Sequence, residues 1–179
     1  MFKINMRFFT IAEYNDEQNW LENQHKKGWK LKLVLPLIFI FEKCNPEDVI
    51  YQLDYKNKSM TEDYFEIFKD YGWEYCGSCL GWNYFRKLEK DIETENDREI
   101  FSDADSKIDM INYIYKTRML PLTLLLFAMS FWMFKYIKLI YGFREKIMFT
   151  LIFILFLVDL CIFIRCGLKL RKLKKELGE

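Results

Sequence analysis

The sequence has no excess of charge of either sign. Lysine and arginine number 27 and aspartate and glutamate 26, a formal net charge of +1 over 179 residues. No basic stripe precedes Met119, which argues against nucleic acid as the main partner. Histidine occurs once, as His25, on the polar part of a predicted helix and so expected to be exposed; no serine or cysteine stands at a triad spacing from it. A phosphate loop and a dinucleotide fingerprint are both absent. The five cysteines, at 44, 76, 79, 161 and 166, are odd in number, and two lie in or beside an apolar segment. A disulfide framework is therefore not expected, and the soluble part reads as belonging to a reducing compartment. Residues 1–10 carry Lys3 and Arg7 and no long apolar run, so no signal peptide is expected there.

Those averages hide a division. Of the 26 acidic residues of the chain, 21 lie before Asp109, whereas Met119 to Leu168 is overwhelmingly apolar. Met119–Phe134 carries no charge, and Ile147–Ile164 reads IMFTLIFILFLVDLCIFI. Crossing a hydrocarbon core takes roughly 20 residues, and snorkelling of Lys135 and Lys138 extends the shorter run. Transmembrane helices are expected over 119–141 and 146–166, joined by a turn near Gly142. A soluble domain this small has no means of covering two helices that are apolar on every side. The side holding both termini offers eight basic residues (Lys116, Arg118, Arg165, Lys169, Arg171, Lys172, Lys174, Lys175). The turn offers four, namely Lys135, Lys138, Arg144 and Lys146. Cationic loops stay inside, so the expectation is a multi-pass cell-membrane protein with N- and C-termini cytoplasmic and a basic tail over 167–179. Asp159 lies inside the second span, where an acid is costly; a structural or oligomer-contact role is expected rather than transport.

The soluble half reads as an internal duplication, which repeat analysis should seek first. Gly28-Trp29 recurs as Gly72-Trp73, 44 positions later. The same offset carries Phe41 to Phe85, Lys43 to Lys87, Trp20-Leu21 to Tyr64-Phe65, and MRFFTI (6–11) onto IYQLDY (50–55). Each unit begins with a strand, near Ile4–Thr10 and Val49–Tyr55. A helix follows, near Asp16–Lys27 and Thr61–Tyr71, with Thr61 as an N-cap and glycine at C′. Two strands close the unit, turning near Leu35–Pro36 and Leu80–Gly81. The fold class is α+β: a duplicated β-α-β-β unit over 1–88 forming a mostly antiparallel sheet with two helices, then the transmembrane hairpin. Residues 89–101 read as a charged linker, and 102–118 as a juxtamembrane amphipathic helix capped by Ser102.

The elements WLENQHKKGWKL, FIFEK, YQLDY, DYGWEY…GWNYFRK and EIFSDADSKIDM resemble an uncharacterised bacterial family of the domain-of-unknown-function type. The resemblance covers roughly Arg7 to Tyr113. It implies a fold, C-terminal transmembrane helices and a setting beside PadR-like transcriptional regulators, and it supplies no catalytic residues. The duplicated unit is also similar in topology to the effector-binding domains of some drug-responsive regulators, an analogy of fold alone.

Candidate chemistry is sparse. Cys76-Gly-Ser-Cys79 sits at a strand-to-turn position, whereas a redox pair needs a helix N-terminus to activate its thiolate. A structural zinc would need two more ligands than the pair supplies. Glu13, Asp16, Glu17 and Glu22, with Glu62, Asp63 and Glu66, read as solvated helix faces. No catalytic residue, metal or cofactor is expected. Strand alternation puts Trp82, Tyr84 and Arg86 on one face and Phe85 and Lys87 on the other. If two helices cover the Phe41 and Phe85 side, then Trp82 and Tyr84, with Trp73, Tyr75 and Arg86, form an open aromatic face. An apolar patch of that kind marks a binding surface for a partner protein or an apolar small molecule. The functional expectation is a membrane-anchored regulatory or sensory protein. The alternative is an accessory subunit of a membrane complex such as a transporter. The expected partners are the lipid bilayer and a protein or apolar small molecule at the sheet face, with no nucleic acid; a homo-oligomer is compatible with the sequence.

Overall fold

The computed structural model describes residues 1–55, 62–100, 104–136 and 142–177. The first repeat comprises β1 (Phe2–Met6), α1 (Tyr14–His25), β2 (Trp29–Leu35) and β3 (Ile38–Lys43). The second comprises β4 (Val49–Tyr55), α2 (Glu62–Asp70), β5 (Glu74–Cys79) and β6 (Trp82–Leu88). The α+β duplication is thus present, as two antiparallel three-stranded sheets ordered β1-β3-β2 and β4-β6-β5 where a single sheet was expected. The equivalent edge strands β2 and β5 lie near one another, and each is broken by a register shift, at Leu31/Leu33 and Tyr75/Gly77. Such bulges twist a strand away from regular pairing, which accounts for two ladders rather than one.

The 44-residue offset holds from α1 onward and fails for the first strand. Lys3 faces Phe41 in the first sheet and Gln52 faces the counterpart Phe85 in the second, so β1 corresponds to β4 at an offset of 49. The segment MRFFTI is therefore mostly connection, and β1 ends at Met6. Both helices do end on the expected glycines. Gly28 and Gly72 adopt φ of 82° and 79°, the left-handed conformation that glycine enters without a Cβ clash. The hairpin turns differ. Leu80 and Gly81 both have positive φ, whereas in the first repeat Pro36 precedes Leu37 at φ 67°. That is the pattern of a type II turn with leucine where glycine is usual.

The chain divides into two compact units, Met1–Met110 and Ile111–Glu179. Residues read as a solvated linker belong to the first. Short 3-10 turns at Glu89–Asp91 and Glu95–Arg98 are joined by Arg98 to Glu89 at 2.5 Å. Ile92 and Ile100 pack with Tyr64, Phe65 and Phe68 against Ile50, Trp73 and Phe85. Apolar residues spaced through a charged stretch hold it to the core.

A long helical run follows as α3 (Ala104–Ile114), a widened π turn (Tyr115–Met119) and α4 (Leu120–Tyr136). Pro121 explains the widening: it has no N–H for the Thr117 carbonyl, and its ring crowds that oxygen. Helix α5 runs from Phe143 to Glu176, so the basic tail is helical nearly to its end. Within this unit Ile114, Met119, Cys166 and Leu170 are buried, and the Tyr115 hydroxyl donates to the Gly167 carbonyl at 3.2 Å. The helical stretches 105–135 and 143–176 are each long and apolar enough to cross a membrane. Thr61, Ser102 and the turn residues 137–141 lie outside the described residues.

Candidate functional site

Helix α1 packs on two sheets at once. Trp20 stands edge-on to Phe39 and Phe41 of β3, at 4.9 and 5.6 Å between ring centres. The opposite side of the same helix covers the second sheet, where Tyr14 meets Trp82 at 5.3 Å. Helix α2 covers the other face of that sheet, through Phe68 on Phe85 at 4.7 Å and Phe65 on Tyr75 at 4.6 Å.

This arrangement corrects the expected open aromatic face. Trp82 is 6 % exposed, Tyr84 3 % and Trp73 4 %, so all three are core residues. The alternation of Trp82, Tyr84 and Arg86 is as expected, since they face Tyr55, Leu53 and Tyr51 across β4. The difference is that α1, carried by the first repeat, lies over that side. Trp73 and Tyr75 do not share it. Both belong to the Phe85 side under α2, and only Tyr75, at 37 %, keeps substantial exposure.

The α1 interface is polar and buried. The Tyr84 hydroxyl donates to Glu17 Oε1 at 2.7 Å, and the Tyr51 backbone N–H donates to Glu22 Oε1 at 3.1 Å. The Tyr51 hydroxyl sits 3.0 Å from His25 Nδ1 and accepts the Leu31 N–H at 3.2 Å. Arg86 grips Glu74 through two bonds, at 2.7 and 2.5 Å, and reaches the Leu31 carbonyl at 3.4 Å. Glu17 and His25, expected to be solvated, are therefore buried. The signal was available in the sequence: Tyr14, Gln18, Leu21 and His25 recur at helical spacing along a second buried stripe. Asp16, Glu62 and Glu66 are exposed as expected.

Burial sets the electrostatics. It pushes the Glu17 carboxyl up to about 7, against the opposing bond from Tyr84. It also raises Glu22 and lowers His25. The Cys76 thiol rises to about 12 and Cys79 rises too, both through burial, which is opposite to what a reactive thiolate needs. No cluster of three or more His, Cys, Asp or Glu side chains suited to a metal occurs among the described residues. Asp159 is half-buried on α5.

The surface left open is on the first sheet. Phe2, Ile4 and Met6 of β1 share its outer face with Ile38 and Ile40 of β3 and Leu33 and Leu35 of β2. Phe2 is 63 %, Ile4 66 % and Met6 77 % exposed. Through the register, this face is the counterpart of Tyr51, Leu53, Tyr55, Trp82 and Tyr84 on the second sheet, the side that α1 covers. The open face lies on the first repeat, where the expectation put it on the second.

A duplicated β-α-β-β module followed by helices long and apolar enough for a bilayer defines the class of this protein. The chain belongs to the family described as a protein of unknown function, DUF2812, whose model matches residues 13–123, more than half its length. No curated protein and no solved structure matches it.

Proposed function

We propose that the chain is a membrane-anchored regulatory or sensory protein whose first unit binds a partner and carries out no catalysis. The observation that carries this reading is the uncovered apolar face of the first sheet, since contiguous exposed apolar patches mark binding surfaces. Its counterpart on the second sheet is filled by a helix, so the same architecture already serves for docking. The ionisable groups under α1 are engaged in holding that helix, which supports a structural use for them. The two apolar helices support the anchor, and the excess of Lys and Arg on the terminal side supports multi-pass insertion with both termini cytoplasmic. In a bacterial setting beside a PadR-like regulator, that regulator is the first protein partner to test.

Asp159, half-buried in an otherwise apolar stretch of α5, favours a second reading as an accessory subunit of a membrane complex. One experiment addresses both. The full chain is extracted from membranes with mild detergent, and its associated proteins are compared between wild type, Ile4→Lys and Asp159→Leu. Loss of a partner in Ile4→Lys alone supports the first reading, and loss in Asp159→Leu alone supports the second. Recovery in the soluble fraction without detergent would overturn the membrane anchor.

A further inference from the structure

We propose that the outer face of the first sheet is the interface between two copies of this chain, related by a twofold axis. The inference rests on the reading of that face as a binding surface and names its occupant.

Size comes first. Phe2, Ile4, Met6, Leu33 and Leu35 are each between 43 and 77 % exposed. At about 200 Å² per residue they present on the order of 600 Å², before Ile38 and Ile40 are added, against the ~800 Å² per partner of a stable interface. A patch of this size is at the upper end of what a monomer leaves bare.

Charge comes second. Lys30 and Glu42 face each other across β2 and β3 and pair at 3.6 Å, so they cancel. The cations of β1 and its continuation are held elsewhere: Lys3 donates to Gln24, and Arg7 stacks on Phe9 and Trp20 at 4.9 and 5.2 Å. A bilayer surface would be met by cations around the patch. A second identical face, apolar and carrying a matched ion pair, meets no repulsion.

The α2 side of the first unit is a poorer match for head-to-tail stacking. Helix α2 turns Glu62, Glu66, Lys69 and Asp70 to solvent around Ile67, with Tyr71 just beyond its end, a mixed and mainly charged face that matches an aliphatic sheet less well than a second copy of that sheet does. The bare face is thus complementary to itself, and an isologous pair closes without leaving a second patch open. Packed face to face, the two sheets interleave Ile4, Ile40 and Met6 as in a β-sandwich. Leu37, in the turn that joins β2 and β3, is itself half-exposed at φ 67°, as Leu80 is exposed at φ 51° in the second hairpin.

The test measures the mass of the full chain in detergent by light scattering, across a dilution series, with far-ultraviolet dichroism as a check on folding. Wild type is expected to be dimeric. Ile4→Lys is expected to weaken the dimer by at least on the order of tenfold. Ile67→Lys, on the exposed side of α2, is expected to leave it unchanged. Leu37→Gly removes an apolar contact without straining the turn and is expected to weaken the dimer while the fold is retained. A wild type that stays monomeric at every concentration overturns the proposal, as does a dimer indifferent to both Ile4→Lys and Leu37→Gly. If the chain is monomeric but Ile4→Lys still releases another protein, the face binds a different occupant. The functional reading then survives and the dimer does not.

Discussion

Tyr84 and Glu17, 67 positions apart, meet across the interface between α1 and the second sheet, where the phenol donates to the carboxylate at 2.7 Å. This bond joins the two repeats, and it places an acid where water does not reach. Its pKa, pushed up to about 7, makes the bond a source of pH dependence.

A carboxyl whose folded pKa lies above its unfolded value favours the folded state most when protonated. For Glu17 that advantage is complete below about 4.5 and is lost as pH rises toward 7. A tenfold change in proton affinity corresponds to about 1.4 kcal/mol, so the loss is on the order of 3 kcal/mol. Glu17→Gln keeps an acceptor for Tyr84 and removes the charge. Urea unfolding should therefore find the variant more stable than wild type at pH 8 and nearly equal to it at pH 5. A variant less stable at both values would mean that the ionised carboxylate itself holds the helix.

Trp82 and Tyr84 are core residues, and their truncation should behave accordingly. Each substitution by alanine removes a buried aromatic and should cost about 3–5 kcal/mol. Tyr84→Ala also strips Glu17 of its donor. Thermal unfolding should show large losses for both variants, whereas Ile67→Lys on the exposed side of α2 should change stability by less than about 1 kcal/mol. A folded, unperturbed Trp82→Ala variant would restore the open aromatic face.

The contrast between these positions marks what could be read from the sequence. Repeat spacing made the two β-α-β-β units legible, because Gly28-Trp29 and Gly72-Trp73 mark equivalent helix ends that only particular backbone conformations satisfy. Strand alternation correctly grouped Trp82, Tyr84 and Arg86. Alternation says which residues share a face and nothing about what covers it. Helix α1 serves two sheets, so the aromatic side of the second repeat is filled from the first, a long-range fact with no local signature. The shifted β1 was hidden for another reason: RFFT is as strand-like as FKIN, and pairing chose between them.

Gly81 provides a local test of the second hairpin. Its φ is 92°, and an added Cβ would stand 2.8 Å from Tyr55 Cε2, itself packed on Trp82 at 5.0 Å. Strain and overlap act together, and the buried ring has no free space to move into. Gly81→Ala should cost about 2–3 kcal/mol in chemical denaturation. Gly77 has φ of 134° with nothing within 4 Å, so Gly77→Ala reports backbone strain without overlap. A Gly81→Ala variant as stable as wild type would mean that Tyr55 yields freely.

The last prediction concerns His25. Its Nδ1 lies 3.0 Å from the Tyr51 hydroxyl, and that hydroxyl also accepts the Leu31 N–H at 3.2 Å. In the His25 tautomer protonated at Nε2, the Tyr51 hydroxyl donates its proton to Nδ1 while its oxygen accepts from Leu31. Burial is the first cause holding the His25 pKa below 6.5, with the Arg86 charge acting in the same direction. A depressed folded pKa means that the stability supplied by neutral His25 is present above 6.5 and is lost as pH falls below it. Protonation turns Nδ1 from acceptor into donor, so the Tyr51 hydroxyl loses the acceptor for its proton and must reorient, which disturbs the relay from Leu31 through Tyr51 to His25. This joint ties α1 and β2 to β4, so acid should loosen α1 from the second sheet before the sheets themselves unfold. Hydrogen exchange on the full chain would show it. After correction for intrinsic rates, the Leu31 amide should lose protection as pH falls below 6.5, while the β4–β6 ladder amides keep theirs. Tyr51→Phe should reproduce that loss at pH 7.5 and abolish its pH dependence, because the bond that His25 titrates is already gone. Unchanged protection of Leu31 across this range would show that the amide keeps its bond when His25 is charged, and the relay would play no part in acid response.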